Sequence, residues 1–78
     1  MNTPLITVFT NSINGELVCK HVGNLLNYSI GDIIYIDDFT KLTQNEYEVV
    51  ERINDDIKVF ENLTNCIIRE YKIMRIIK

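Results

Sequence analysis

Apolar and polar residues alternate along two short segments near the start of the chain, which is the pattern of half-buried β-strands. These segments are residues 5–10 and residues 16–22, and the dipeptide Asn14-Gly15 lies between them. Asn and Gly accept the positive φ angles that tight hairpin turns require. The pattern therefore predicts that the first two strands form an antiparallel hairpin.

A second turn is predicted at Gly31-Asp32, directly before the most regular alternation in the chain, over residues 33–37. In this third strand Ile34 and Ile36 are expected to face the core, because side chains alternate between the two faces of a strand. The outward residues are then Ile33, Tyr35 and Asp37. A polar loop is predicted over residues 38–45.

Residues 44–62 fit two patterns. In a strand, Tyr47 and Val49 would point inward, and the adjacent pair Val49-Val50 would indicate a β-bulge. In a helix, Thr43 and Glu46 have the spacing of a capping box. Four β-branched residues lie between positions 47 and 57 (Val49, Val50, Ile53 and Ile57), and Asn-Asp-Asp interrupts the segment at 54–56, so we predict a strand. The alternative is an α+β fold with a helix over about residues 44–62.

The last apolar segment, residues 66–77, is predicted to be a closing strand with apolar side chains on both faces. Cys66, Ile67 and Ile68 are consecutive, so both faces carry an apolar side chain. Such a strand is either buried on both faces or paired with a second copy of the chain. The second alternative predicts a homo-oligomer formed through this C-terminal strand.

Composition supports a mainly β fold in one domain, residues 1–78. The chain has no Ala, the best helix former, whereas Ile, Val and Thr together supply 25 of its 78 residues. A chain of this length has room for only one small core.

The segment Gly31-Asp32-x-Ile34-x-Ile36-Asp37, followed by Tyr47-x-Val49-Val50, resembles largely uncharacterised small bacterial and phage β-barrel proteins. Asn14-Gly15-Glu16-Leu17 resembles the first hairpin of the same proteins. The resemblance covers roughly residues 5–73. It implies a small five-stranded barrel of the Src-homology-3 or KOW kind, but it identifies no functional residues.

Charge and residue types argue against catalysis and against nucleic acid as the partner. Asp and Glu outnumber Lys and Arg by 11 to 8, and the net charge is −3, whereas a nucleic-acid binder usually has a basic face. The single histidine, His21, has Cys19 two residues away but no orienting group nearby. No spacing of His, Cys or acidic residues fits a metal site. We expect no enzyme activity, cofactor or metal.

The N-terminal residues lack the features of a signal peptide, and no apolar run is long enough for a membrane helix. We therefore expect a cytoplasmic protein in which Cys19 and Cys66 are reduced. The sequence leaves open whether the two cysteines ever pair.

The remaining candidate function is protein binding. Aromatic, aliphatic and Arg side chains that face outward have the composition of a contact surface, and the predicted partner-binding residues are Tyr35, Asp37, Phe39, Lys41, Val50 and Arg52. We expect a non-enzymatic protein-interaction module, encoded by a phage or mobile element. Two alternatives stay open. One is a nucleic-acid-binding barrel that uses the basic residues Arg69, Lys72, Arg75 and Lys78. The other is an acidic inhibitor of a host nucleic-acid-handling enzyme that uses Glu46, Glu48, Glu51, Asp55 and Asp56.

Overall fold

Five strands form one curled sheet in the computed structural model, which describes residues 3–77 without the side chains of Phe60, Leu63 and Thr64. The sheet closes into a half-barrel. The predicted mainly β fold is confirmed, and the architecture is consistent with a small Src-homology-3-like barrel. The strands are β1 (Leu5–Asn11), β2 (Leu17–Val22), β3 (Ile33–Asp38), β4 (Thr43–Phe60) and β5 (Leu63–Arg75).

The order of strands across the sheet is β2-β1-β5-β4-β3, so β5 lies at the centre and β2 and β3 are the edges. Strands β1 and β2 form the predicted antiparallel hairpin, and Gly15 takes a φ of 75° in its turn. Strands β1 and β5 are parallel, and the other neighbours are antiparallel. The first and last strands of the chain therefore lie side by side in the middle of the sheet.

The helical alternative for residues 44–62 is wrong, because Thr43–Phe60 is a single long strand. Its first six residues pair with β3, and most of its length pairs with β5. The predicted bulge at Val49-Val50 is present, since the register with β5 shifts between Val49 and Glu51. The predicted polar loop is shorter than expected, because only residues 39–42 separate β3 from β4. Backbone pairing on two sides favours the strand over the local capping signal.

The central strands β1 and β5 are buried on both faces of the sheet. On one face lies the first cluster, formed by Phe9, Ile34, Tyr47, Val49, Tyr71 and Ile73. On the other face lies the second cluster, formed by Ile6, Val8, Cys66 and Ile68. The predicted burial of the C-terminal strand on both faces is therefore confirmed.

The homo-oligomer through the C-terminal strand stays a prediction, but the central part of β5 offers no free edge for it. This strand pairs with β1 along one side and with β4 along the other. Between Ile67 and Ile73 both sides of the strand are therefore used within the chain, and a second copy has no free side of this part to pair with. Self-association through another surface stays a prediction.

An irregular segment, residues 23–32, crosses the first cluster and connects β2 to β3 on the far side of the sheet. Leu26 and Tyr28 pack against the cluster. The amide of Leu26 donates to the hydroxyl oxygen of Thr7 at 2.8 Å. Arg69 donates from Nη1 to the carbonyl oxygen of Leu26 at 3.2 Å. Polar side chains of the sheet thus hold a segment that has no regular hydrogen bonding of its own.

The β4–β5 turn lies on the side of the sheet that carries the second cluster. Glu61 of this turn forms an ion pair with Lys20 of β2, although β1 and β5 separate β2 from β4 in the sheet. The long β4–β5 hairpin therefore curls back toward the β2 edge on the side of the second cluster. Residues 3–77 include no helix of the length and apolar character that crossing a membrane requires.

Candidate partner-binding site

Four of the six predicted partner-binding residues lie on the β3–β4 hairpin. Tyr35 and Asp37 belong to β3, and Phe39 and Lys41 belong to the four-residue turn at its end. We call residues 39–42 the hairpin tip. As expected, Ile34 and Ile36 face the first cluster, and Tyr35 points away from it with 59% of its side chain exposed.

The backbone of the hairpin tip is held by a side chain at its base. The carboxylate of Asp38 accepts hydrogen bonds from the amides of Thr40, at 3.0 Å, and Lys41, at 3.2 Å. Asp38 itself pairs with Thr43, the first residue of β4. An aspartate that binds the amides two and three residues later fixes a turn. The tip therefore presents its side chains in a defined arrangement.

Two large apolar side chains extend from the hairpin tip into solvent. Phe39 is 82% exposed and Leu42 is 88% exposed. Leu42 has a φ of 54°, which is the left-handed region that non-glycine residues rarely occupy. Sequence reasoning did not include Leu42 in the site. The available signal was a large apolar residue inside a predicted polar loop.

The other two predicted residues do not join this surface. Val50 lies in the β4 bulge and is half-buried. Arg52 lies on the face of the first cluster, with its guanidinium carbon 5.9 Å from the ring centre of Tyr71. Tyr35 pairs with Glu46 and faces the opposite side of the sheet. Tyr35 and Arg52 therefore cannot contact one flat partner surface together.

A cleft of about 340 Å³ runs between the edge strand β2 and the β3–β4 hairpin. We call it the β2–β3 cleft. Val18 of β2 lines one side, and Ile36 and Tyr47 come from the hairpin. The other residues that line it are Asp37, Asp38, Phe39, Thr40 and Asn45. Val18, which the sequence did not single out, brings the opposite sheet edge into the site.

A neighbouring cleft of about 280 Å³ lies beside the hairpin tip. Asp37, Asp38 and Phe39 line both clefts, and Leu42, Thr43 and Gln44 complete the second one. The ring of Phe39 therefore forms part of the wall of each cleft. Three of the residues around the hairpin tip are shared in this way, so the two clefts make one continuous surface.

The carboxylates of this surface lack a cationic partner among the residues that the structure describes. Asp37 accepts a hydrogen bond from the side-chain nitrogen Nε2 of Gln44 at 3.2 Å, and Asp38 accepts hydrogen bonds from the backbone amides of the turn. Within residues 3–77, neither aspartate makes an ion pair. Their negative charges stay uncompensated at the rim of an apolar cleft.

The basic residues near the C-terminus do not form a patch where the structure describes them. Arg69 donates two hydrogen bonds to Asp55, at 2.8 and 2.9 Å. Lys72 lies 3.8 Å from the carboxylate of Glu70, and Arg75 donates to Asn45 at 2.9 Å. The fourth predicted residue, Lys78, lies outside the described residues.

The acidic residues of β4 are also dispersed. Glu46 and Glu48 share the outer face, opposite Tyr35 and Ile33. The bulges beyond them shift the register of Glu51, Asp55 and Asp56. The Arg69 guanidinium, through its hydrogen bond, lowers the pKa of Asp55 below the usual value. The five acidic side chains therefore do not present one continuous surface.

Side chains with nucleophilic or metal-binding potential stay apart. Cys19 packs against the first cluster and Cys66 belongs to the second, so the two thiols lie on opposite faces of the sheet. A disulfide between them is incompatible with this fold. His21 contacts the side chain of Asn24. No group of three or more potential metal ligands occurs among residues 3–77.

No protein-family model, no curated protein and no solved structure matches this chain. The distinguishing features of the site are the exposed apolar side chains of the hairpin tip and the acidic rim of the adjoining cleft.

Proposed function

We propose that this protein is a non-enzymatic protein-interaction module that binds a protein partner through the tip of the β3–β4 hairpin. The observation that carries the proposal is the exposure of Phe39 and Leu42, at 82% and 88%, on a turn that Asp38 holds in place. Large apolar side chains at a fixed position can enter a partner surface with little loss of conformational entropy.

The backbone at Leu42 gives a second argument. A residue with a side chain in the left-handed region costs about 1–2 kcal/mol compared with the usual conformations. Gly would avoid this cost, yet the chain has Leu there, and the side chain has little contact with the rest of the protein. Strain that brings no packing benefit is expected where a side chain is needed for binding.

The nucleic-acid alternative has weaker support. Arg69 and Lys72 are close to carboxylates, and Arg75 is held by Asn45, so these cations are not grouped to follow a phosphate backbone. For the cellular location, we infer the cytoplasm, where the free thiols of Cys19 and Cys66 would stay reduced.

A photo-crosslinking experiment tests the proposal. Benzoylphenylalanine is incorporated at position 39 in cells, and adducts are compared with those from a probe at position 13. Ile13 is a suitable control because it is 84% exposed and lies in the β1–β2 turn. We expect a discrete adduct from position 39 only.

Matched substitutions sharpen the result. Leu42→Gly should reduce the position-39 adduct at least several-fold, whereas Ile13→Gly should leave it unchanged. The proposal is wrong if both probes give the same adducts, or if the position-39 adduct is insensitive to the loss of the Leu42 side chain.

A further inference from the structure

We propose that the β2–β3 cleft takes an apolar side chain from an extended segment of the partner, and that this segment carries Lys or Arg beside the apolar residue. This inference rests on the proposed function and adds the chemistry of the partner. It follows from three properties of the cleft, which are its floor, its rim charge and its position beside the hairpin tip.

The floor of the cleft is apolar and rigid. Val18 and Ile36 are half-buried and pack against the first cluster, and Tyr47 belongs to that cluster. At about 340 Å³, the cleft is at the lower end of the range of roughly 300–1,000 Å³ for ligand sites. It is therefore suited to one or two side chains rather than to a folded surface.

The rim gives the charge preference. Asp37 and Asp38 both line the cleft and make no ion pair within residues 3–77, so a cation bound at the rim would lie close to two negative charges. Arg75 and Lys41 do not form ion pairs with these carboxylates. Arg75 donates to Asn45, another residue that lines the cleft, and Lys41 lies at the exposed tip. A basic residue is thus favoured next to the apolar anchor.

A larger cleft at the other end of the sheet lacks this combination. It measures about 520 Å³ and is lined by Leu25, Asp55, Asp56, Ile57 and Ile67. However, Arg69 already neutralises Asp55, and Asp56 accepts a hydrogen bond from the amide of Ile57 at 2.8 Å. Uncompensated carboxylates beside an apolar floor therefore favour the β2–β3 cleft as the binding site.

The position of the cleft relates it to the hairpin tip. Phe39 forms part of its wall while most of the ring stays exposed. A segment lying in the cleft would therefore contact Phe39 along its length. In the complex the hairpin tip and the cleft would be covered together, with Asp37 beside the edge of β3 that no strand of the chain occupies.

The test is an amide chemical-shift titration of the full chain with three capped pentapeptides at up to millimolar concentration. The peptides are Gly-Arg-Leu-Arg-Gly, its Glu-Leu-Glu counterpart and its Arg-Gly-Arg counterpart. We expect the Arg-Leu-Arg peptide alone to shift the amides of Val18, Ile36 and Thr40. Shifts of equal size with the Glu-Leu-Glu peptide, shifts at other positions only, or no shifts would overturn the proposal.

Isosteric variants isolate the charge. Asp37→Asn and Asp38→Asn each keep a hydrogen-bond acceptor and remove one charge, and each should weaken binding about two- to five-fold at low salt, the range of an exposed ion pair. Asp56→Asn is the matched control and should leave the affinity unchanged. Equal effects from all three variants would exclude a specific role for the cleft.

The two proposals can fail separately. If position 39 crosslinks to a partner but the peptide does not bind, the interaction module stands and the partner chemistry is wrong. If the peptide binds but no tip-dependent adduct forms, the proposed use of the hairpin tip is wrong. If the probe at position 39 crosslinks to phosphatidylcholine vesicles and to no protein, both proposals are wrong.

Discussion

The hydroxyl of Tyr71 donates a hydrogen bond to the carbonyl oxygen of Leu26 at 2.8 Å and so joins the centre of the sheet to the crossing segment. The hydroxyl oxygen of Tyr71 also accepts a hydrogen bond from the backbone amide of Tyr28 at 2.9 Å. The Tyr71 ring also contacts the rings of Phe9 and Tyr28, with centres 5.8 and 5.6 Å apart. One fully buried side chain thus serves both the apolar cluster and the backbone that covers it.

Removing this hydroxyl should destabilise the fold. Tyr71→Phe keeps the ring but leaves the partly buried amide of Tyr28 without its acceptor, so we expect the free energy of unfolding to fall by about 1–3 kcal/mol. Urea unfolding at neutral pH measures the change. Tyr47→Phe is the matched control, because Tyr47 lies in the same cluster and its hydroxyl makes no hydrogen bond within residues 3–77. A change as large in the control would contradict the assigned role.

The Arg69–Asp55 pair should make stability depend on acid. The hydrogen bond from Arg69 lowers the pKa of Asp55 below its usual value of 3.8. The Asp55 carboxylate therefore binds a proton less readily in the folded protein than in the unfolded chain. The contribution is complete above about pH 5 and is lost as the pH falls through the lowered pKa. Because 35% of the Asp55 side chain is exposed, we expect at most about 1 kcal/mol.

Urea unfolding of Asp55→Asn at pH 7 and near pH 3 measures this dependence. The variant should be less stable than the original chain at pH 7, and the difference should shrink at the lower pH. Asp56→Asn removes a neighbouring carboxylate that makes no ion pair among the described residues, and it should not change the pH profile in this way. The assignment is wrong if the two variants behave alike.

Relieving the backbone strain at the hairpin tip should stabilise the protein. Leu42 has a φ of 54° and an 88% exposed side chain, so Leu42→Gly removes strain and almost no packing. We expect a gain of about 1 kcal/mol in the free energy of unfolding, seen as a higher melting temperature. A lower melting temperature would show that the Leu42 side chain contributes to the fold. The combination of higher stability and weaker partner binding is what the proposed function requires.

The outer edge of β4 should pair more readily with a second copy of the chain when Asp56 is replaced by an apolar residue. Strand β3 covers only Thr43–Glu48, so residues 51–59 have a strand neighbour on one side only. Ile57 and Val59 are 66% and 69% exposed there. The Asp56 carboxylate accepts a hydrogen bond from the backbone amide of Ile57. Charged residues protect such edges from pairing.

Asp56→Val should therefore increase self-association, whereas Asp56→Asn keeps the acceptor and should not. Sedimentation velocity over a range of concentrations measures the difference. If Asp56→Val sediments as the original chain does at every concentration, the carboxylate is not what protects this edge.

The two thiols should differ in reactivity. Cys66 is fully buried in the second cluster, whereas Cys19 is only half-buried on β2. We expect a thiol reagent to label Cys19 in the native state and Cys66 only at the rate of unfolding. Mass spectrometry of the partly labelled protein distinguishes the sites, and equal labelling rates would contradict the burial of Cys66.

Local patterns were sufficient for much of the fold. The alternation around Ile34 and Ile36, the Asn14-Gly15 turn and the paired valines at 49 and 50 each predicted a feature that the structure contains. These features depend on residues adjacent in the chain, whose side chains alternate between faces and whose φ angles are set locally. The same local patterns also placed four predicted partner-binding residues on one hairpin, because these residues lie in β3 or in the turn directly after it.

Only the tertiary structure decided the rest. Whether Thr43–Phe60 is a helix or a strand depended on partners far along the chain, because backbone pairing with β3 and β5 outweighs a local capping box. The central place of β5, the separation of Arg52 from Tyr35, and the approach of Val18 to the hairpin all follow from strand order and curl. The residues at positions 31 and 32 thus marked where β3 begins. The cleft beside β3 exists only because the curl of the sheet brings its two edge strands, β2 and β3, close to each other.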